Sequence, residues 1–455
     1  MNLAPPNPSP TPKPMKLLED CTGSTAVPEP IPAPKIIPRT TSSIWIAAIC
    51  IFAIGCFLRI HPWMGFKGIG FDEALYRGYV EALHERGFSN MPQLSAAFLE
   101  KQSKIDGAIL PPTRFIYIAL ATTWRNTFFA DAPGEPDLRA PDVARKDPAL
   151  ISLRSVSCLF TILTLLLSGI FARRIGGDRA MLGVLALMAC APTQLHMSQH
   201  GLIDGVFAFF ALTNVWLLME NLRNPDDGRW QTAYATALAI MVLTKENAAF
   251  VYVALTGLIL IAWWQKWGAL TRRLVLTHIV GALIGGTILT VLAGGPQECL
   301  AIYLLLKAKA QTMPYAIRTG DGPWFRYLVD LMCASPLTLL FAIGAIFHLT
   351  KEKRLQLYLV AFIGISYTMM CNVKYGMNLR YTNMWDMPLR FLAFTQVAAI
   401  STRFGKKENV ALIAIVAALA AFDLHQYDVL FVQFDKDYEM VSANLLHALK
   451  ILKLN

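Results

Sequence analysis

The chain has 455 residues, of which 55% are hydrophobic and only 16% are charged, with a formal net charge of +10. Soluble domains carry about 25% charged residues, so the composition excludes a set of soluble domains and indicates a polytopic membrane protein. Lys and Arg occur in small clusters between apolar runs, which indicates cytoplasmic anchoring and lipid headgroup contact rather than nucleic-acid binding. The eight cysteines are scattered without a C-x-x-C pair, so we expect neither a disulfide framework nor a zinc site.

Residues 1–41 contain eleven prolines and no apolar run, and we predict a disordered cytoplasmic tail. The first apolar run begins only at Ile44, so no signal peptide is expected. This run, residues 44–58, predicts the first span. Lys35 and Arg39 precede it, which favours an N-terminus in the cytoplasm.

Residues 61–148 form the longest stretch without an obvious span, and they contain a short apolar segment at 115–124. If that segment does not span the membrane, five later basic loops all face the cytoplasm. If it does span, all five face outward. The positive-inside rule favours the first topology. The polar residues of the segment, in the region 113–129, also suit a helix in the membrane interface; they are Arg114, Thr122, Thr123, Arg125 and Asn126.

The remaining apolar runs predict ten further spans, at residues 150–172, 180–197, 203–219, 232–244, 248–264, 274–293, 327–348, 355–370, 387–400 and 410–422. The expected fold is therefore an all-α membrane protein of about eleven transmembrane helices. Its large first extracytoplasmic loop, 61–148, would carry interfacial helices, and its C-terminal tail, 423–455, would be extracytoplasmic. Shorter loops at 194–201, 245–247, 294–326 and 374–385 would lie on the same outer side.

Two adjacent carboxylates, Asp72 and Glu73, stand about a dozen residues beyond the first predicted span. Adjacent residues of a helix point about 100° apart, so the two acids can hold different partners. The alternative is that they form the acidic first turn of a helix over 73–86, where they would complement the helix dipole.

Further ionisable residues fall on the predicted outer side, where they interrupt or border apolar runs. Such groups are costly near a membrane and are therefore functional candidates. A structural alternative exists for each. Asp204 could be a first-turn acid, Lys245 part of a polar turn, and Arg380 an anchor to lipid headgroups. His200 and its neighbour four residues earlier favour a hydrogen-bonding role over a metal site.

Several short motifs resemble those of one enzyme class in order and spacing. They are Phe71-Asp72-Glu73, Pro111-Pro112-Thr-Arg-Phe-Ile-Tyr117, Leu153-Arg154-Ser-Val-Ser157, Gly201-Leu-Ile-Asp204, Leu243-Thr-Lys-Glu246 and Leu379-Arg-Tyr381. With them the chain resembles the GT-C class of polyprenyl-phosphate-sugar-dependent glycosyltransferases. It is most similar to bacterial relatives of protein O-mannosyltransferases and of the lipid A aminoarabinose transferase. The resemblance implies that residues 42–422 form a GT-C-like transmembrane catalytic domain in the bacterial inner membrane.

The resemblance implies transfer of a hexosyl or pentosyl group from a polyprenyl-phosphate-linked donor to an extracytoplasmic acceptor. Asp72 matches the general base of the family, and Glu73 would orient that base or bind the acceptor. Such chemistry needs a positive charge next to the leaving phosphate. Lys245 and Arg380 are the candidates for that charge, and Tyr381 is the third candidate for binding the donor phosphate. The remaining candidates for substrate binding are Arg77, His200 and Asp204. The expected partners are the lipid-linked sugar, the acceptor and membrane lipids, and no nucleic acid.

The chain contains no P-loop, no G-x-G-x-x-G after a strand and no Asp-x-Asp near the candidate residues. The sequence therefore implies no cofactor and no tightly bound metal, and it leaves open whether a divalent ion binds. A polytopic transporter or lipid flippase is the main alternative function, since intramembrane charges suit it as well. The absence of an internal repeat and the long loop after one span favour an enzyme. A non-catalytic assembly subunit is a third possibility, in which Asp72 would be dispensable.

Overall fold

The structure, a computed structural model, describes residues 42–61, 68–104, 110–134, 141–373, 377–435, 438 and 440–449. The predicted tail of residues 1–41 lies outside these ranges. Within the described ranges the regular elements are helical. The α-helices are α1 (Ser42–Ile60), α2 (Phe71–Arg86), α3 (Met91–Lys104), α4 (Phe115–Phe128), α5 (Pro141–Ala144), α6 (Pro148–Ala189), α7 (Pro192–Ser198), α8 (Asp204–Arg223), α9 (Gly228–Val242), α10 (Ala248–Trp264), α11 (Arg272–Leu292), α12 (Pro296–Thr312), α13 (Pro314–Gly320), α14 (Arg326–Ala334), α15 (Pro336–Ile346), α16 (Arg354–Met370), α17 (Asp386–Ser401), α18 (Glu408–Tyr427) and α19 (Met440–Ala448). Shorter 3-10 helices lie at Phe88–Asn90, Leu379–Trp385 and Thr402–Lys407, and a π-helical turn at Asp428–Gln433.

Several helices are long and apolar enough to cross a membrane, which needs about 20 residues. In the described ranges these stretches are Ser42–Ile60, Pro148–Ala189, Asp204–Arg223, Arg272–Leu292 and Leu379–Gln433. Shorter apolar helices are Ala248–Trp264, Pro336–Ile346 and Arg354–Met370. Large apolar side chains on their outer faces are exposed, as in Trp264 (74% exposed) and Leu283 (63%), where a lipid environment would cover them. The predicted all-helical membrane fold is confirmed, and the number of eleven spans stays a prediction.

Two predicted spans are joined or broken by single residues. Helix α6 runs through both 150–172 and the start of 180–197, and it bends sharply at Gly177, whose φ is 76°. Glycine adopts this left-handed conformation without the steric penalty of a Cβ atom. The span predicted at 180–197 then breaks before Pro192, which begins α7, because proline cannot donate a hydrogen bond to the preceding turn.

The first loop forms a helical layer on the bundle. Its apolar segment is α4, whose 14 residues are short for a span and which packs against α2 and α6 through Phe115, Tyr117 and Ala121. We expected a loop at 294–326, but most of this stretch is helical. Helix α12 begins with Pro296 and packs on α3, where Phe98 meets Ile302.

The basic clusters and the candidate residues lie at opposite ends of the bundle. Arg173 lies 4.8 Å from the ring centre of Trp45 at the start of α1, and Arg174 pairs with Glu220 at 2.7 Å near the end of α8. Asp204 stands at the other end of that helix, whose 20 residues span about 30 Å. The fold therefore separates a basic end from an end that gathers the candidate site.

Candidate active site

The two adjacent acids open helix α2, as one of the two sequence interpretations predicted. Gly70 precedes the helix, and its backbone N–H donates to Oε2 of Glu73 at 2.8 Å. Asp72 and Glu73 then point to different partners. Asp72 meets Arg380, and Glu73 meets Arg154. Both interpretations therefore hold together: the acids form a first turn, and each binds its own cation.

Glu73 is buried, with 1% of its surface exposed, and its carboxylate is enclosed by donors. Arg154 donates from Nε to Oε1 and from Nη2 to Oε2, both at 2.7 Å, and the Gly201 N–H donates to Oε1 at 2.5 Å. Burial alone would raise the pKa of Glu73, but the hydrogen bonds and charge of Arg154, the charge of His200 and the Gly201 N–H lower the pKa to about 2. Glu73 is therefore ionised at neutral pH and connects the first loop to α6.

Four of the predicted residues form one chain of alternating charges. Asp72 Oδ2 accepts from Arg380 Nη1 at 2.6 Å, and Arg380 Nε lies 3.7 Å from Asp204 Oδ2. Asp204 Oδ1 accepts in turn from Lys245 Nζ at 2.5 Å. The side chains of Lys245 and Asp204 are 1% and 2% exposed, whereas those of Arg380 and Asp72 are 13% and 24% exposed. The inner pair is therefore enclosed, and the outer pair lies at the accessible edge.

The ring of Tyr381 supports both cations of this chain. Lys245 Nζ lies 4.1 Å from the ring centre, and Arg380 Cζ lies 5.5 Å from it. A cation close to an aromatic face is attracted by the ring quadrupole. Tyr381 thus lies with both cations, and its predicted role in binding the donor phosphate stays a prediction.

Local structure explains why these residues converge. Asp204 is the first residue of α8, where the helix dipole favours a negative charge. Lys245 lies in the turn between α9 and α10 and is buried rather than solvated. Arg380 lies in a 3-10 turn that Asn378 begins, since the Asn378 side chain accepts from the Arg380 N–H at 3.0 Å. Lys245 thus lies in the turn that the alternative predicted, but its side chain is buried and paired with Asp204. Arg380 lies close to the carboxylates of Asp72 and Asp204.

The other two predicted binding residues, Arg77 and His200, are not part of this chain of charges. Arg77 pairs with Asp147 at 2.8 Å, and the same carboxylate caps α6 by accepting from the Leu150 N–H at 2.8 Å. Arg77 thus fastens α2 to the start of α6. The ring centre of His200 lies 4.4 Å from that of His196, and the charge of His200 acts on Glu73.

Sequence reasoning assigned no role to a second polar pair at the site. Arg114 donates to both carboxylate oxygens of Glu246, at 2.9 Å and 3.1 Å, and it also forms a close hydrogen bond to the hydroxyl of Tyr76. Tyr76 is fully buried four residues after Asp72, on the same face of α2. The sequence signal for this pair was Glu246, the charged residue next to Lys245, because a charge that leaves water needs a partner.

One family model matches part of the chain. Residues 140–293, about a third of the chain, match the family model of dolichyl-phosphate-mannose-protein mannosyltransferase. This segment includes Arg154, His200, Asp204 and Lys245, and it does not include Asp72. The comparison with curated proteins finds no match.

Solved structures of two GT-C glycosyltransferases resemble most of the chain in fold. Apo ArnT from Cupriavidus metallidurans matches with a TM-score of 0.50 and 16% identity, over 83% of this chain and 64% of ArnT. An apo oligosaccharyltransferase from Archaeoglobus fulgidus matches with a TM-score of 0.55 and 11% identity, over 85% and 55% of the two chains. The archaeal enzyme AglB from the same organism, in complex with an inhibitory peptide and a dolichol-phosphate, gives a TM-score of 0.52 and 11% identity over 85% and 56%.

The present chain thus spans about half to two thirds of the length of these enzymes. At such low identity the likeness concerns the fold. The chain has the GT-C-like helical fold of these membrane enzymes, and its residues 140–293 match the model of the protein mannosyltransferase family.

Proposed function

We propose that this chain is an integral-membrane glycosyltransferase that takes a hexosyl or pentosyl group from a polyprenyl-phosphate-linked donor. The observation that supports the proposal best is the charge chain of Asp72, Arg380, Asp204 and Lys245 in a GT-C-like fold. It places a carboxylate and a guanidinium together at an accessible edge. Those are the two groups that transfer from a phosphate donor requires.

The reaction joins the acceptor to the anomeric carbon of the sugar. The acceptor hydroxyl oxygen forms the new bond to that carbon, and the bond from the carbon to the phosphate oxygen breaks. The electron pair of the broken bond stays on the polyprenyl phosphate. The hydroxyl proton passes to a carboxylate oxygen of Asp72, which acts as general base and later releases the proton to water.

Arg380 is the proposed phosphate ligand, because its planar guanidinium can bind two phosphate oxygens and because it stands at the open edge beside Asp72. Lys245 contributes positive charge from within, and Asp204 holds it against the Tyr381 ring. Glu73 belongs to the scaffold in this proposal, because Arg154 and the Gly201 N–H already occupy its oxygens.

In this proposal the site faces the extracytoplasmic side of a bacterial inner membrane, and the lipid tail lies between helices. Positive residues such as Arg174 at the opposite end of the bundle support this orientation. The acceptor is a lipid, glycan or protein hydroxyl on that side. The dolichol-phosphate bound to AglB supports a lipid phosphate as the donor group of the proposed site.

Purified full-length protein, incubated with radiolabelled polyprenyl-phosphate sugars and an extract of membrane acceptors, tests the proposal. We expect transfer by the wild-type protein and loss of transfer in Asp72→Asn. Movement of the lipid between leaflets without sugar transfer would favour the flippase alternative. Equal transfer by Asp72→Asn would refute the role of Asp72 as base.

A further inference from the structure

We propose that Arg380 is a counter-ion shared between the general base and the leaving phosphate, so that Asp72 and the donor phosphate compete for one guanidinium. This inference rests on the proposed function and concerns the order of events at the same site. Binding of the donor phosphate would draw Arg380 from Asp72 and leave that carboxylate available to an acceptor hydroxyl.

The geometry separates a fixed half of the charge chain from an exchangeable half. Asp204 and Lys245 are enclosed at a distance of 2.5 Å, and the Tyr381 ring covers the ammonium. Breaking that buried pair would leave a charge without compensation, which is costly. The pair of Arg380 and Asp72 lies at the edge, where water or a phosphate can replace one partner.

Arg380 can exchange partners without leaving its place. Its Nε faces Asp204 at 3.7 Å, while Nη1 is the atom that contacts Asp72. The backbone of Arg380 is held by the Asn378 side chain, and Tyr381 lies beside the guanidinium. The proposed exchange therefore moves Nη1 from a carboxylate oxygen to a phosphate oxygen and leaves the backbone of Arg380 in place.

The charge changes of the reaction favour such an exchange. Asp72 loses its negative charge when it accepts the hydroxyl proton, and the phosphate gains one negative charge when the sugar leaves. A cation held only by Asp72 would lose its partner at the transition state. A cation that moves to the phosphate stabilises the charge where it develops, which is the interaction that accelerates the chemical step.

A fixed pair of Asp72 and Arg380 and a competition for Arg380 predict different effects on phosphate binding when the Asp72 charge is removed. If Asp72 merely positions Arg380, Asp72→Asn loosens the guanidinium, and phosphate binding weakens or stays unchanged. If the two anions compete, the same change removes the competitor, and phosphate binding tightens.

The test measures binding of undecaprenyl phosphate to full-length protein in nanodiscs of uncharged lipid, with undecaprenol as the probe that lacks only the phosphate. We expect Asp72→Asn to bind undecaprenyl phosphate on the order of tenfold more tightly than wild type, and undecaprenol equally. Glu85→Gln removes an exposed carboxylate from the same helix and should leave both affinities unchanged. Arg380→Gln should abolish the gain when combined with Asp72→Asn.

The outcomes separate the two proposals. Preference of the wild-type protein for the phosphate over undecaprenol, with equal or weaker phosphate binding by Asp72→Asn, would overturn the exchange and leave the donor class standing. Equal binding of both probes by wild type and by Asp72→Asn would overturn the phosphate site itself. Matching thermal unfolding of wild type and Asp72→Asn confirms that the comparison concerns folded protein.

Discussion

Asp72 and Arg380 are 308 positions apart in the chain, and yet Arg380 Nη1 lies 2.6 Å from Asp72 Oδ2. One residue opens the first helix of the first loop, and the other lies in the 3-10 turn before α17. Their contact brings an early and a late segment of the chain to one point beside Asp204 at the start of α8. The site is therefore complete only when the whole bundle is folded.

Replacing Asp72 by Asn should lower turnover by about 10²–10⁴-fold, because the amide cannot accept the acceptor proton. The substitution keeps the size of the side chain. Initial rates with a labelled polyprenyl-phosphate sugar measure the effect. Glu85→Gln, on the same helix, is the matched control and should keep full turnover. Near wild-type rates in Asp72→Asn would show that another group takes the proton.

Arg380→Lys and Arg380→Gln separate charge from geometry at the proposed phosphate site. Lysine keeps the charge but loses the planar fork that binds two oxygens, so Arg380→Lys should lower turnover, and Arg380→Gln should lower it further. The loss should appear in kcat more than in donor affinity, since the phosphate charge grows toward the transition state. Steady-state kinetics in donor concentration measure both. Full turnover in both variants would mean that the phosphate binds elsewhere.

The sequence was informative about the fold and about which residue types meet. Apolar runs predicted the helices, and the adjacent acids predicted a helix start with two partners, which Asp72 and Glu73 have. The position of ionisable residues near apolar runs also made Lys245 and Arg380 functional candidates, and the structure places both of them at the Tyr381 ring. In both cases the physical reason is local, since a charge next to a span must find a partner.

The partners themselves could not be predicted, because pairing depends on how distant helices pack. Nothing in the local pattern links Glu73 to Arg154, 81 positions later, or Arg114 to Glu246, 132 positions later. Helix ends were also uncertain where proline decides them, as in the break before Pro192. These features depend on tertiary contacts that one sequence does not display.

Glu73→Gln should destabilise the protein by about 3–5 kcal/mol, because it leaves Arg154 buried without its counter-charge. Thermal unfolding in detergent measures the loss. Glu100→Gln removes one partner of an exposed pair with Lys104 in α3 and should change little. Equal unfolding temperatures for Glu73→Gln and wild type would show that the tie to α6 contributes nothing.

The same residue predicts a pH dependence of stability. The pKa of Glu73 lies at about 2 in the folded protein, below its ordinary value of 4.5. The stabilisation by Glu73 is therefore fully present above pH 4.5 and is lost as the pH falls toward 2. Unfolding of wild type and Glu73→Gln should converge over this window. A constant difference between them down to pH 2 would contradict the assignment.

The orientation of the bundle in the membrane gives the last prediction. Single cysteines placed by Glu85→Cys, Arg229→Cys and Lys353→Cys replace exposed side chains, in a background without the native cysteines. The first lies in the loop that carries Asp72, and the other two lie in basic loops. Because positive loops stay in the cytoplasm, an impermeant maleimide should label only Glu85→Cys in intact cells. Permeabilised cells, in which all three should react, control for accessibility of the thiols. Labelling of Arg229→Cys or Lys353→Cys from outside would place the basic end outward, and the proposed site would then face the cytoplasm.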